Sequence, residues 1–199
     1  MKLWATDVFS DRTLLLALAL LLDAFLGDPR LIFRIIPHPI SLLGNVIEFG
    51  ERKLNHNSLG DLALLARGAL LTVVIAIIVI IMGWGLQIFI ALYNLWALEL
   101  ILIAFLLAQR SLYDHVRSVS IELEKNGIEA GRRTVAHIVG RNTAGLDKGG
   151  VSRAAIESLS ENFADGVVAP ALWYLIFGLP GLFFCKAVNT MDSMIGYRN

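Results

Sequence analysis

Arg153, Glu157, Glu161 and Asp165 recur every four residues, so a helix through them would carry a single charged ridge with Asn162 beside it. Three carboxylates share one basic partner on that ridge, which leaves acidity for a metal ion, a cationic group or a proton. The ridge ends where the chain enters the uncharged stretch 167–185. A charged helix face at a membrane boundary can meet a water-soluble substrate while the next turns anchor it. Other chemistry-bearing residues are more scattered. His38 stands between Pro37 and Pro39, on a stiff backbone where it could bind phosphate or exchange a proton; an ordinary turn histidine fits equally well. No His, Cys or carboxylate stands at metal-ligand spacing from it, so zinc is a weak reading. The turn Gly140-Arg141-Asn142-Thr143 could offer donors to a phosphate, but it lacks the longer glycine pattern of a P-loop, and a basic hairpin near anionic lipid explains it as well. Asp23 and Glu99 lie inside apolar sequence, where an isolated carboxylate is costly; they must face a cavity, find a partner or sit at an interface, which keeps a transporter among the competing functions.

The elements that position these groups are apolar helices. Of 199 residues, 56% are hydrophobic and 17% charged, the formal net charge is zero and the mean hydropathy is +0.67, values that favour a membrane protein over a soluble domain. Between Arg67 and Glu99 lie 31 residues without formal charge. A bilayer core about 30 Å thick takes about 20 helical residues, so this run predicts two helices, at 68–86 and 88–108, joined near Gly83, Gly85 and Gln87 unless one long helix passes through. A shorter apolar stretch at 13–27 predicts a retained membrane helix, since Asp23 and the lack of a small-residue cleavage site count against a signal peptide. In 167–185, Pro170 and the Gly178-Leu179-Pro180-Gly181 sequence leave two readings open, a full span or a bent, re-entrant segment. The expected class is therefore all-α: a polytopic integral membrane helical bundle with amphipathic cytoplasmic helices.

The segment 28–67 carries five Lys or Arg residues and 109–165 eight, which puts both on the cytoplasmic side. Val46, Ile47 and Phe49 suit a short helix against the membrane face. Leu112, Val116, Val119 and Leu123 form an apolar face that Asn126-Gly127 should end, with a second helix from Glu129 to about Val139. No repeat divides the chain, so 1–199 reads as one membrane domain. The single cysteine, Cys185, forms no internal disulfide, and zero net charge without an aromatic-basic surface speaks against nucleic-acid binding.

Several motifs in order resemble the cobalamin-biosynthesis membrane family that converts adenosylcobyric acid to adenosylcobinamide or its phosphate. They are LLLD with Gly27-Asp28-Pro29, His38-Pro39 followed by Gly44 and Glu51, VGRNTAGLD, GGVSRAAIESLSENFADGVVAPALWY, and KAVNTMDSMIGYRN. Asn142 stands where that family often has Asp, and Phe163-Ala164 replaces a more polar pair. The resemblance implies ATP-dependent formation of an amide between aminopropanol, or its phosphate, and the carboxylate of adenosylcobyric acid. It implies Glu157, Glu161 and Asp165 as catalytic residues, with Mg2+ held by Glu161 and Asp165. It further implies Asp28, His38, Arg141, Asn142, Arg153, Asn162, Asn189 and Asp192 as substrate-binding residues, the last two if the final motif folds back to the cytoplasm. ATP and Mg2+ are the implied cofactors; the implied surroundings are a plasma or inner membrane, a homo-oligomer or other cobalamin-pathway proteins. Members of this family usually continue beyond GYRN, so the expectation is a C-terminally truncated chain that is inactive alone. The competing readings are a membrane sensor of the related antibiotic-resistance regulatory group and a transporter.

The charge count yields a direct test. A cysteine replacing Ser118 in a Cys185→Ser background should react with a membrane-impermeant maleimide only after cells are opened; labelling in intact cells would reverse the orientation.

Overall fold

The computed structural model describes residues 4–27, 39–54, 60–140 and 142–195, and every regular element among them is helical. In chain order these are α1 (Trp4–Leu26), α2 (Pro39–Leu54), α3 (Asp61–Leu92), α4 (Trp96–Leu106), α5 (Gln109–Lys125), α6 (Gly127–Ala136), α7 (Lys148–Phe163), a π-helical turn (Ala164–Val168), α8 (Ala169–Phe177) and α9 (Leu179–Met194). Two stretches, Leu62–Leu92 and Trp96–Lys125, are helical and apolar enough to cross a membrane. The second is not one straight rod, because Leu107 and Ala108 leave the helical conformation between α4 and α5.

The chain reversal in the long apolar run lies later than its glycines suggest. α3 continues through Gly83, Gly85 and Gln87, and the turn falls at Tyr93-Asn94, where Asn94 takes φ 52°, a left-handed conformation that asparagine tolerates. The glycine at 83 serves packing instead. A Cβ there would stand 2.7 Å from the Cα of Pro180, so its absence lets α3 and α9 cross in close contact.

Of the two readings of 167–185, the bent one describes the structure. α8 and α9 form a helical hairpin whose tip is Gly178, at φ 71° and ψ −151°, a region essentially restricted to glycine. Below the tip a Cβ at Gly181 would meet the carbonyl oxygen of Trp173 at 2.4 Å, which shows how tightly the two arms pack. At about 1.5 Å rise per residue, the arm from Asp165 to the tip is roughly 20 Å long, shorter than a bilayer core.

Apolar contacts divide the helices into three groups. Leu16, Ala19, Ile103, Leu106, Tyr174 and Leu182 belong to a core shared by α1, α3, α4, α8 and α9. Ile47 of α2 joins Ile75 and Val79 of α3 and Ala187 and Met191 of α9, so the expected short helix does bury its apolar face, although Val46 and Phe49 point outward. A separate core of Val119, Leu123, Val135, Val151 and Ala154 unites α5, α6 and α7. Its first two members come from the apolar face read in the sequence, and α5 stops at Lys125, before Asn126-Gly127. α6 starts two residues earlier than the expected helix and ends at Ala136.

Glycine substitution distinguishes packing from turn formation in α3. Gly83→Val should lower stability by about 1–3 kcal/mol through overpacking against Pro180. Gly85→Ala, with nothing within 4 Å of its new methyl group, should be neutral or raise stability by up to about 1 kcal/mol. Thermal unfolding of both proteins in one detergent checks the contrast; equal loss in both would refute the crossing geometry.

Candidate functional site

α7 is started by Asp147, whose Oδ1 accepts from the backbone N–H of Gly150 at 2.6 Å and satisfies an otherwise free amide at the helix N-terminus. From there Arg153, Glu157 and Glu161 follow on successive turns, all exposed. Arg153 lies 4.0 Å from Asp147 as an exposed ion pair, a weak contact that leaves the guanidinium accessible. The ridge is not a single α-helical row to its end. The π-helical turn begins at Ala164, and its wider winding changes the phase of the residues that follow it.

That turn is tied to the far end of the chain. Asn189 on α9 donates from Nδ2 to the backbone carbonyl oxygen of Asp165 at 2.6 Å. The tie exists because the hairpin returns the chain to the level at which it left α7. Asp192, one turn beyond Asn189, is exposed. Asp165 and the NTMDS motif are thus neighbours, as the folded-back arrangement requires. Asn162 is engaged within its own helix, where its Nδ2 donates to the carbonyl of Ser158 at 2.8 Å and to the Ser158 hydroxyl at 3.1 Å. Its carbonyl oxygen is not used in those two bonds.

The turn before α7 is braced from α6. Arg132 donates to the carbonyl of Leu146 at 2.8 Å, Thr143 donates to the carbonyl of Arg132 at 3.0 Å, and Asn142 accepts from the N–H of Ala144 at 3.0 Å. Asn142 therefore shapes the turn with its own carboxamide oxygen. Arg132, which the motif reading passed over, fixes this turn, and only its position before an exposed basic loop signals it in the sequence. Asp28, His38 and Arg141 lie outside the described residues.

Among the described residues no three His, Cys, Asp or Glu side chains converge on a point that could hold a metal ion. Glu161 and Asp165 together offer two exposed carboxylates. That donor set fits Mg2+, which commonly takes one or two carboxylates and completes its shell with water and phosphate oxygens.

The two carboxylates within apolar sequence have structural partners elsewhere. Asp23 accepts from the backbone N–H groups of Gln109 and Arg110 at 2.8 and 3.3 Å, capping α5 from another helix. Glu99 accepts from the hydroxyl of Tyr174 at 2.8 Å. Neither needs a transported ion to account for its place.

The CobD/Cbib protein family matches residues 16–199 of the chain. The cobalamin biosynthesis protein CobD of Brucella anthropi is 47% identical over 190 residues, covering 94% of this chain and 58% of that protein. The Brucella suis protein of the same name is 49% identical with the same coverage, and that of Rhodobacter capsulatus 37% over 187 residues, covering 92% and 58%. The chain thus spans about three fifths of the length of these curated relatives. No solved structure matches it. Nothing in these likenesses favours a sensor or a transporter.

The tie at Asp165 can be cut. Asn189→Ala should speed hydrogen exchange of amides in 164–169 and cost about 0.5–1.5 kcal/mol, the usual range for one hydrogen bond, without hindering membrane insertion. Exchange unchanged from the parent protein would show that the bond does not hold the π-helical turn.

Proposed function

As the chain belongs to the CobD/Cbib protein family, we propose that it takes part in cobalamin biosynthesis by joining aminopropanol, or its phosphate, to adenosylcobyric acid at the cytoplasmic edge of a multi-pass membrane bundle. The observation that carries this reading is the bond from Asn189 to Asp165, which unites the SENFADG and NTMDS motifs in one place. Corrinoid chemistry comes from the family; the assignment of roles comes from charge and position.

An amide cannot form directly from a carboxylate and an amine at a useful rate, because the leaving group would be oxide. Transfer of the γ-phosphoryl group of ATP to the corrinoid carboxylate gives an acyl phosphate and ADP. The free amine then attacks the carbonyl carbon, inorganic phosphate leaves, and the nitrogen loses a proton to a base. Arg153 supplies positive charge for phosphate oxygens, with Arg141 as the second candidate. Glu157 would orient the ammonium before it gives up one proton to become the free amine, and would accept the proton that the nitrogen loses after attack. Glu161 and Asp165 would hold Mg2+, which when bound neutralises phosphate charge. Asn189 keeps the Asp165 backbone in position, while Asn162 and Asp192 offer acceptors at the same edge. Asp28, His38 and Asn142 complete the substrate-binding set.

The activity is assigned to the protein at the full length of its relatives, so the test uses this chain extended to that length, in lipid. Glu161→Gln and Asp165→Asn should each weaken Mg2+-dependent nucleotide binding and amide formation roughly tenfold or more, with membrane insertion intact. Amide formed at the parent rate without ATP would contradict the activation route. Unchanged binding and turnover in both variants would remove the ridge from the site.

A further inference from the structure

At the end of the bundle away from the ridge, where α3 turns into α4, a cavity of about 590 Å³ opens between α1, α3 and α4. Its walls include Leu14, Leu18 and Ile90, and its polar groups include Asp11, Arg12 and Glu99. Arg12 spends one N–H on the carbonyl oxygen of Ile176, at 3.2 Å, and a guanidinium has five. Among the described residues the bond Glu99 accepts, from Tyr174, is through Oε1, leaving Oε2 able to accept from a ligand. Asp11 is exposed. Among the described residues the cavity therefore pairs one cationic group with two carboxylates, the complement of a ligand that carries both a phosphate and a primary ammonium.

The surroundings narrow the ligand further. Leu14 and Leu18 are 61% and 40% exposed, so the apolar wall is open along its side instead of closed over a small solute. Tyr93 and Trp96 stand exposed at the same turn, as aromatic side chains do at the level of lipid headgroups. We propose that this cavity holds the headgroup of a phospholipid with a primary ammonium group. Its phosphate lies at Arg12, its ammonium between Glu99 and Asp11, and an acyl chain runs along Leu14 and Leu18. The inference rests on the membrane placement of the chain but not on the amide chemistry, which occupies the other end of the bundle.

The test reconstitutes the protein in vesicles of equal parts phosphatidylethanolamine, phosphatidylcholine and phosphatidylglycerol. Lipids retained after extraction in mild detergent are then counted by native mass spectrometry. Phosphatidylethanolamine should be retained about tenfold over phosphatidylcholine, whose quaternary nitrogen has no N–H to donate to a carboxylate. Asp11→Asn and Glu99→Gln should each reduce that preference. Because Glu99→Gln also alters the Tyr174 bond, the exposed Asp11 decides if that variant fails to fold. Equal retention of the two lipids, or a preference undiminished in Asp11→Asn, would overturn the proposal. So would displacement of the lipid by free phosphoethanolamine, which would point to a soluble ligand. Release of the protein from membranes by carbonate would reject the membrane placement itself, separately from the headgroup assignment.

Discussion

Backbone that leaves a helix in apolar surroundings must find hydrogen-bond partners on other helices, because no water is there to supply them. This constraint governs two interruptions within the bundle. Between α4 and α5, the first amides of α5 are received by Asp23 from α1. At the hairpin tip, Arg12 of α1 donates to the carbonyl of Ile176, near the end of α8, and Gln87 of α3 accepts from the amide of Leu179, which opens α9. Charge and dipole agree at both places: a carboxylate faces a helix N-terminus and a guanidinium a helix C-terminus. Removing any of these three side chains would expose an unpaired backbone group far from its own helix.

With its tip held in this way, the hairpin can serve the ridge at its other end. α8 leads away from Asp165 and α9 returns to it, so two motifs separated by an apolar stretch meet through Asn189. The α5–α6–α7 core sits on the same side and fixes the start of the ridge independently, through Val151 and Ala154. The ridge is thus anchored at one end by a small polar-side core and at the other by a hairpin embedded in the apolar bundle.

Helical class, apolar runs and the α5 face were legible because they depend on local periodicity. The ridge residues were legible for the same reason, up to Glu161. The π-helical turn at Ala164–Val168 has no such signature, since Ala164 and Gly166 are compatible with an ordinary helix. Gly83 misled for a physical reason: a glycine that frees the backbone for a turn and one that makes room for Pro180 look alike until the neighbour is known. Asp23 and Glu99 were similarly opaque, because their partners, the α5 amides and the Tyr174 hydroxyl, stand 86 and 75 residues away in sequence. The choice between a span and a re-entrant bend could not be made locally, as Pro and Gly occur in both.

The wider winding of the π-helical turn also acts as an angular offset between two parts of the chain. Each face of α8 is rotated relative to α7 by an amount that an unbroken α-helix would not give. Tyr174 can therefore look inward to Glu99 while Glu157 and Glu161, on the preceding helix, look outward to solvent. A one-residue deletion that restored regular winding would leave the composition of both helices almost unchanged. It would nonetheless turn the lower helix against the upper one, so that either the inward tyrosine or the outward carboxylates faced the wrong medium.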